Sequence, residues 1–567
     1  MRFLALATDY DGTIAHHGHV NAATLAALER AREAGRKLIL VTGRLRSDLA
    51  RVFEPMELFD LMVVENGAVL YRPATREEKI LTEPASPKLI ARLRERGVAH
   101  LEIGQAIVAT MQPYESVVLE AIRELGLEHQ VIFNKGAVMV LPSGVNKATG
   151  LEAALAELGL SVHNVVGVGD AENDHAFLER CGCAVAVANA LPALKERADW
   201  VMARDHGEGV QDMIAVLLRG EHDPAMPPLR RHQVLLGRDD RGRDIGYRAP
   251  AERLLVVGKS GGGKSTIAAG LFERLIESGY QALLIDPEGD HAGSDRAVVL
   301  GSAHKAPEPE EVVSALQAPH QTVVVNLIAV RAVDKPGYFQ RLLGALQPLR
   351  LERGRPHCLV LDEVHHLLPA GPLDQAVRPL LESQGIVAVT TAAELVADRF
   401  LALVTMVVAA SEPGEAIAEF CRRAGTAAPS RVPEARPGER MVVWHRGELN
   451  AFALSLVPPK VVTRRHVRKY AQGRLGEDES FYFEGPARKL HLRAENLLRF
   501  MELGEGVDDE TWMHHLGRHD FSRWFRATIK DAELAAAAER IEDEASGPLS
   551  SRAAMRAEIE RRYTVPG

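Results

Sequence analysis

Short apolar runs that end at acidic or glycine-rich turns, each followed by a helical stretch, recur through most of this sequence. Phe3–Thr8 runs into Asp9-Tyr10-Asp11, Lys37–Thr42 into Gly43-Arg44, Leu61–Glu65 into Asn66-Gly67, and Asn164–Val168 into Gly169-Asp170. Helical patterns cover Asn21–Ala34, Lys147–Leu158 and Asp174–Arg180. Apolar runs without alternation read as strands covered on both faces, and strands separated by helices pair in parallel. A parallel α/β sheet is therefore expected for residues 1–220. Open α/β sheets bind ligands at the carboxyl ends of their strands, which is where the acidic residues fall.

A chain of 567 residues exceeds what one core can organise. Residues 221–228, with three prolines, read as a linker. A second α/β run at 229–460 has expected strands at Arg253–Val257, Ala282–Asp286, Thr322–Leu327, Cys358–Leu361, Ile386–Thr390 and Met406–Ala410. Residues 461–480, basic and then acidic, read as a second linker, and 481–567 as a mostly helical domain. There Trp512 and His515, like Phe521 and Trp524, are spaced to share a helical face, as a small helical core requires. The net charge of −9 gives no electrostatic footprint for nucleic acid. No apolar run reaches the roughly 18 residues of a membrane span. The apolar start is cut short by Asp9, so it reads as a strand, and the cytoplasm is the expected compartment. The four cysteines form no CxxC pair, which disfavours a zinc site or disulfide framework.

Asp9 and Asp11, two apart on an extended chain, point the same way. Thr42 ends the second strand, Lys147 opens a helix after Gly144-Val145-Asn146, and Asp170 ends another strand ahead of Asn173 and Asp174. Phosphoryl chemistry calls for such a set: a nucleophile, an acid/base, donors for phosphate oxygens, and carboxylates around a divalent cation. At these residues the first 220 positions resemble the haloacid dehalogenase (HAD) superfamily, in its Cof-type and phosphoglycolate-phosphatase-like branch. The resemblance implies a Rossmann-like sheet with a small inserted α/β cap at about 82–145, patterned Ser86–Arg96, Ala106–Met111, Glu115–Leu125 and Val131–Leu141. It further implies that Asp9 attacks phosphorus and that Asp11 is the acid and then the base. Thr42 would hold a phosphoryl oxygen and Lys147 would neutralise charge. Mg2+ would be bound by Asp9, Asp170 and the backbone carbonyl of Asp11, with Asp174 and Asn173 in support. The short cap suits either a small phosphorylated metabolite or an open site for a larger substrate.

Gly258-Lys259-Ser260-Gly261-Gly262-Gly263-Lys264-Ser265-Thr266 matches GxxxxGK[ST] between a strand and a helix. Glycines let backbone N–H groups wrap phosphates at a helix N-terminus. Lys264 would reach the β- and γ-phosphates of ATP and Ser265 would ligand Mg2+. Asp362 and Glu363 close the strand Cys358–Leu361. Asp362 would hold the metal through water, and Glu363 would activate the attacking water, favouring hydrolysis over transfer to an acceptor. With Ile285-Asp286-Pro287-Glu288-Gly289-Asp290 and Leu235–Asp239, this RecA-like domain resembles the HerA–FtsK ATPases, which implies a hexameric homo-oligomer. Thr390 or Thr391 stands where that family carries Gln, and Arg399, Arg422 and Arg423 are the arginine-finger candidates. The combined expectation is a phosphatase fused to an ATPase. A nucleic-acid motor with an accessory phosphatase and a nucleic-acid end-processing enzyme are the alternatives.

Overall fold

A computed structural model describes residues 3–563 apart from 135, 221–224, 228, 230–231, 250, 260–262, 292–295, 303, 378–384, 435–439, 458, 460–474, 476–479, 487–489, 530 and 545–546. The two expected linkers fall largely outside the described residues. The chain divides into two compact units, one of residues 1–287 and 296–458 and one of residues 288–295 and 459–567.

In the first unit an eight-stranded sheet is ordered Trp200–Val201, Cys183–Ala186, Val165–Gly169, Ala5–Thr8, Lys37–Val41, Leu61–Val64, Val69–Arg72, Glu77–Ile80. The first six are mutually parallel and the last two antiparallel. The central strands are buried on both faces, as their unbroken apolar runs dictate. A four-stranded antiparallel sheet, Glu102–Ile103, Val108–Met111, Ala137–Pro142 and His129–Asn134, is inserted with helices Pro87–Glu95 and Glu115–Glu124 around its own small core. Here the expectation of one strand over Val131–Leu141 is corrected. The segment is a hairpin, Asn134 pairing with Ala137, and Gly136 before the second strand has φ 88°. Glycine populates that region without a Cβ clash.

An eleven-stranded sheet occupies the rest of this unit. Seven parallel strands run Met406–Ala409, Arg253–Val257, Ile386–Thr390, Cys358–Leu361, Ala282–Asp286, Val323–Asn326 and Val298–Leu300. Beside Met406–Ala409 the sheet continues antiparallel through Arg440–His445, Phe452–Leu456, Val234–Asp239 and Asp244–Tyr247. Val298–Leu300 and these four are strands beyond the six expected.

The second unit combines a two-stranded hairpin, Phe481–Phe483 with Leu492–Ala494, and helices Leu497–Gly506, Asp509–Leu516, Asp520–Trp524, Ala532–Glu544 and Pro548–Tyr563. Phe481, Phe483, Phe500, Trp512, Phe521 and Trp524 fill its core. His515 is also buried, its Nε2 accepting from the Glu484 N–H (2.9 Å) and its Nδ1 lying 2.9 Å from Asp520. Among the described residues no helix is long and apolar enough to cross a membrane.

Candidate active sites

The acidic site stands at the carboxyl edge of the eight-stranded sheet. Asp9 follows the Ala5–Thr8 strand and its N–H bonds Val168 O (3.0 Å), which fixes it beside the Val165–Gly169 strand that ends at Asp170. Lys147 opens the helix Lys147–Leu158. Asn146 caps that helix through the N–H groups of Ala148 and Thr149, and Thr149 returns the bond to Asn146 N. The capping box thus aims Lys147 inward. Its Nζ lies 2.5 Å from Asp9 Oδ1 and 2.6 Å from Asp174 Oδ1, with only 1% of the lysine exposed. Asp174 Oδ2 accepts from the N–H groups of Asp170 and Ala171 (2.8 and 2.9 Å), so Asp174 braces both the lysine and the Asp170 turn. The Thr13 hydroxyl is 3.3 Å from both Asp9 Oδ2 and Asp170 Oδ1 and is shared between them.

Asp9, Asp170 and Asp174 offer carboxylate oxygens within 4.8 Å of one another, all buried. Three carboxylates against one ammonium leave a formal charge of −3 + 1 = −2 in a desolvated pocket. Burial, then repulsion by Asp174, raises the Asp9 carboxyl to about 7 against the pull of Lys147. Burial opposes the charge on Lys147, but Asp174 and Asp9 outweigh it and raise the ammonium. Hard oxygen donors carrying a surplus of two negative charges fit a divalent cation such as Mg2+.

Asp11 stands apart from this cluster. Its carboxylate is gripped by Arg44, Nε to Oδ2 at 2.6 Å and Nη2 to Oδ1 at 2.8 Å, and Arg44 also reaches Asp48 (2.5 Å). Thr42 is buried just past the Lys37–Val41 strand, its Oγ1 accepting from Arg44 N–H (3.2 Å). Asn173, expected near the metal, donates to Asn66 Oδ1 (3.0 Å).

The second site lies at the carboxyl edge of the eleven-stranded sheet. Gly258 ends the Arg253–Val257 strand where a Cβ would come within 2.9 Å of Ser411 Oγ. Gly261 and Gly262 lie outside the described residues. Gly263, at φ 90°, caps the helix Lys264–Glu277, whose first residues are Lys264, Ser265 and Thr266. Lys264 is buried with Nζ 3.2 Å from Lys259 O, Ser265 is half-buried and Thr266 exposed. One strand, Ile386–Thr390, separates this loop from Asp362 and Glu363. Asp362 is buried and its Oδ1 accepts from Glu363 N–H (3.1 Å). Glu363 adopts a left-handed conformation (φ 37°, ψ 56°), which costs a non-glycine residue on the order of 1 kcal/mol or more and clusters at functional sites. His365 Nδ1 is 3.5 Å from Glu363 Oε2 and 3.1 Å from Thr390 Oγ1. Arg422 is ion-paired with Glu419, and Arg423 with Asp398 (2.6 Å).

Two stretches of the chain match known families. Residues 6–104 and 102–214 match the family described as haloacid dehalogenase-like hydrolase. A phosphoglycolate phosphatase of Methanothermobacter thermautotrophicus is 32% identical over 219 residues, 37% of this chain and 96% of that protein. The chain belongs to the haloacid dehalogenase-like hydrolases. A phosphoglycolate phosphatase of Methanobrevibacter smithii is 29% identical over 229 residues, 38% of this chain and 98% of its own length. A crystal structure of a haloacid dehalogenase-like hydrolase from Bacteroides thetaiotaomicron covers 38% of this chain and all of its own, with 21% identity and a TM-score of 0.34. Residues 250–334 match the family described as Helicase HerA, central domain, so the hydrolase is fused to a HerA-like domain.

Several residues of the hydrolase site carried no sequence signal of their own. Arg44 was visible only as part of a turn. Glu65, just before Asn66, is buried in a left-handed conformation (φ 53°). Its carboxylate accepts the N–H groups of Gln105 (2.9 Å), Ala106 (2.9 Å) and Ile107 (3.1 Å), fastening the inserted sheet to the main one. In the second site His365, which lies between Glu363 and Thr390, carries no sequence signal either.

Proposed function

We propose that residues 1–220 form an Mg2+-dependent phosphomonoesterase, with 82–145 as its cap, joined through 221–228 to an ATP-binding and ATP-hydrolysing domain at 229–460. Residues 461–480 then link to a carboxyl-terminal domain at 481–567. The observation that carries this reading is Asp9, buried between Lys147 and the Thr13 hydroxyl at the edge of an acidic cluster. An Asp9 oxygen attacks phosphorus, the ester P–O bond breaks, and Asp11 gives the departing oxygen its proton. Water then attacks the aspartyl-phosphate, losing a proton to Asp11, and phosphate leaves with Asp9 restored. Lys147 balances the charge on Asp9 and the transferred group. The Thr42 hydroxyl, already an acceptor from Arg44 N–H, has its proton to give to a phosphoryl oxygen. Mg2+ held by Asp9, Asp170 and the Asp11 carbonyl would neutralise phosphoryl charge. Arg44, poised on Asp11, is the residue an incoming anion would engage.

A small phosphorylated metabolite is the proposed substrate, and phosphoglycolate, named for the relatives, heads the panel to be tested. The four cysteines, none of them in a disulfide, accord with a reducing compartment such as the cytoplasm. The test is hydrolysis of a phosphomonoester panel with Mg2+ by the wild type and by Asp9→Asn. Turnover that survives the substitution overturns the reading.

The HerA match favours a second reading, a hexameric motor with an accessory phosphatase. ATP turnover stimulated by DNA in a salt-dependent way, from a hexamer on size exclusion, would support it over the first.

A further inference from the structure

The elements that carry the two sites meet at their other ends. The helix Lys147–Leu158 begins at the acidic cluster and ends at Gly159, in the left-handed conformation. There Arg353 donates to Leu158 O and Arg355 to Gly159 O (3.1 Å). The strand Val165–Gly169, which leads to Asp170, is preceded by His163 and Asn164. Asn164 Nδ2 is 3.4 Å from Gly354 O, and its Oδ1 is 3.3 Å from His357 Nε2. His357 Nδ1 already accepts from Gln281 N–H (2.9 Å), so Nε2 carries the proton and donates. His163 Nε2 donates to Ser278 O (2.9 Å), and its ring stacks on Tyr280 with centroids 3.9 Å apart.

The contacts on the far side adjoin elements of the nucleotide site, Arg353 as the last residue of the helix Lys335–Arg353 that precedes one of its strands. Ser278 and Tyr280 close the helix whose first residue is Lys264. Residues 354–357 lead into the strand Cys358–Leu361, which ends at Asp362 and Glu363. The contact is close, and His163, Asn164, Arg355 and His357 are all buried. A Cβ on Gly354, which has φ 61°, would stand 2.4 Å from Asn164 Nδ2. A helix moves as a rigid rod, these of 12 and 14 residues spanning about 18 and 21 Å. Packed polar contacts of this kind switch between discrete arrangements more readily than they deform continuously.

We propose that this interface couples nucleotide occupancy at the P-loop to the competence of the acidic site, making the chain a nucleotide-responsive phosphatase. The inference rests on the reading of both sites given above. Phosphates gathered at the amino end of the Lys264 helix reposition its far end. Ser278 and Tyr280 carry that shift to His163 and Asn164, and so to the strand that sets Asp170. Arg353 and Arg355 pass the motion of the Asp362 strand to the carboxyl end of the Lys147 helix.

The test uses the full chain with Mg2+, with and without a non-hydrolysable ATP analogue. Two quantities are read: kcat/KM on the best phosphomonoester, and the Kd of beryllium trifluoride, which mimics the phosphoryl group on Asp9. The analogue changes both by about 5-fold or more, and the fluoride complex changes the Kd of the analogue by the same factor, because coupling between bound ligands is reciprocal. In His163→Phe and Arg353→Ala, neither of which touches a site, the unliganded rate and the nucleotide Kd stay at wild-type values while the effect falls to within about 1.5-fold. Wild-type protein that binds the analogue with both readouts unmoved overturns the coupling, as do variants that keep the full effect. A chain that turns over no phosphomonoester sinks the phosphatase reading and leaves the coupling readable from the two binding constants. Failure of either ligand to bind overturns the coupling as well.

Discussion

Lys147 is the only cation seen touching Asp9 and Asp174 in the described structure, and replacing it with methionine tests the electrostatics of the hydrolase site. Lys147→Met keeps the length of the stem and leaves two buried carboxylates, Asp9 and Asp174, without their shared ammonium. Removing one partner of a buried, hydrogen-bonded pair destabilises by about 3–5 kcal/mol. For the compact unit of residues 1–287 and 296–458, at about 2 cal/mol/K of unfolding entropy per residue, that is a fall of about 3–5 °C in Tm. Calorimetry of the full chain at pH 8 without divalent cations reads it, the affected transition being the one that Mg2+ raises.

Saturating Mg2+ restores part of the loss, about 2.7 kcal/mol at 100 times its Kd. Lys147→Met/Asp174→Asn removes one charge of each sign and is more stable than Lys147→Met alone, an interaction energy of about 0.5–3 kcal/mol in a double-mutant cycle. The dependence on pH has a fixed sign. The Asp9 carboxyl is raised from 3.8 to about 7 by burial and by Asp174. Its stabilising contribution is therefore complete below pH about 4 and is lost as pH rises through about 7. Lys147 holds that value down, so its removal pushes the carboxyl higher, and the deficit of the variant widens from pH 5 to pH 8. A Tm within about 2 °C of wild type at pH 8, or a deficit that widens toward acid, would refute the electrostatic account of the site.

Other substitutions separate positioning from chemistry. Gly67→Ala sets a Cβ 1.9 Å from the backbone oxygen of Asn146, at φ 108°. It displaces the cap of the Lys147 helix, and both phosphatase kcat and Tm fall, as assay and calorimetry on the same preparation will show. Glu65→Gln turns an amide N–H toward backbone N–H groups the carboxylate now receives. The cap loosens and KM rises about 10-fold, the loss of one charge-assisted hydrogen bond, while kcat changes less; equal falls in kcat and kcat/KM would count against a cap-fastening role. Glu363→Gln keeps ATP binding, measured with a fluorescent analogue, and lowers ATP hydrolysis by about 10²–10⁴, as expected for loss of a general base.

What the sequence shows of this molecule is concentrated at the carboxyl ends of its strands. Asp9, Thr42, Asp170, Lys264 and Asp362 are legible because each follows an apolar run or opens a helix, and a single segment suffices to place it. The hairpin at Ala137 is lost to the same method, since Val131–Phe133 and Ala137–Leu141 are both apolar and periodicity alone does not break the run between them. Arg44 and Glu65 are illegible for another reason. Their partners, Asp11 and the N–H groups of Gln105 to Ile107, lie 33 to 42 residues away in sequence, and nothing local announces the pairing. The amino ends of the strands are quieter still. Gly159, His163, Gly354 and Arg355 stand in no motif, and nothing in their neighbouring residues singles them out. Their meaning comes from contacts spanning 115 to 196 residues. A strand or helix with chemistry at one end has a second end that must be held. In this chain each half supplies the hold for the other, so the residues that set the two sites relative to one another carry no motif.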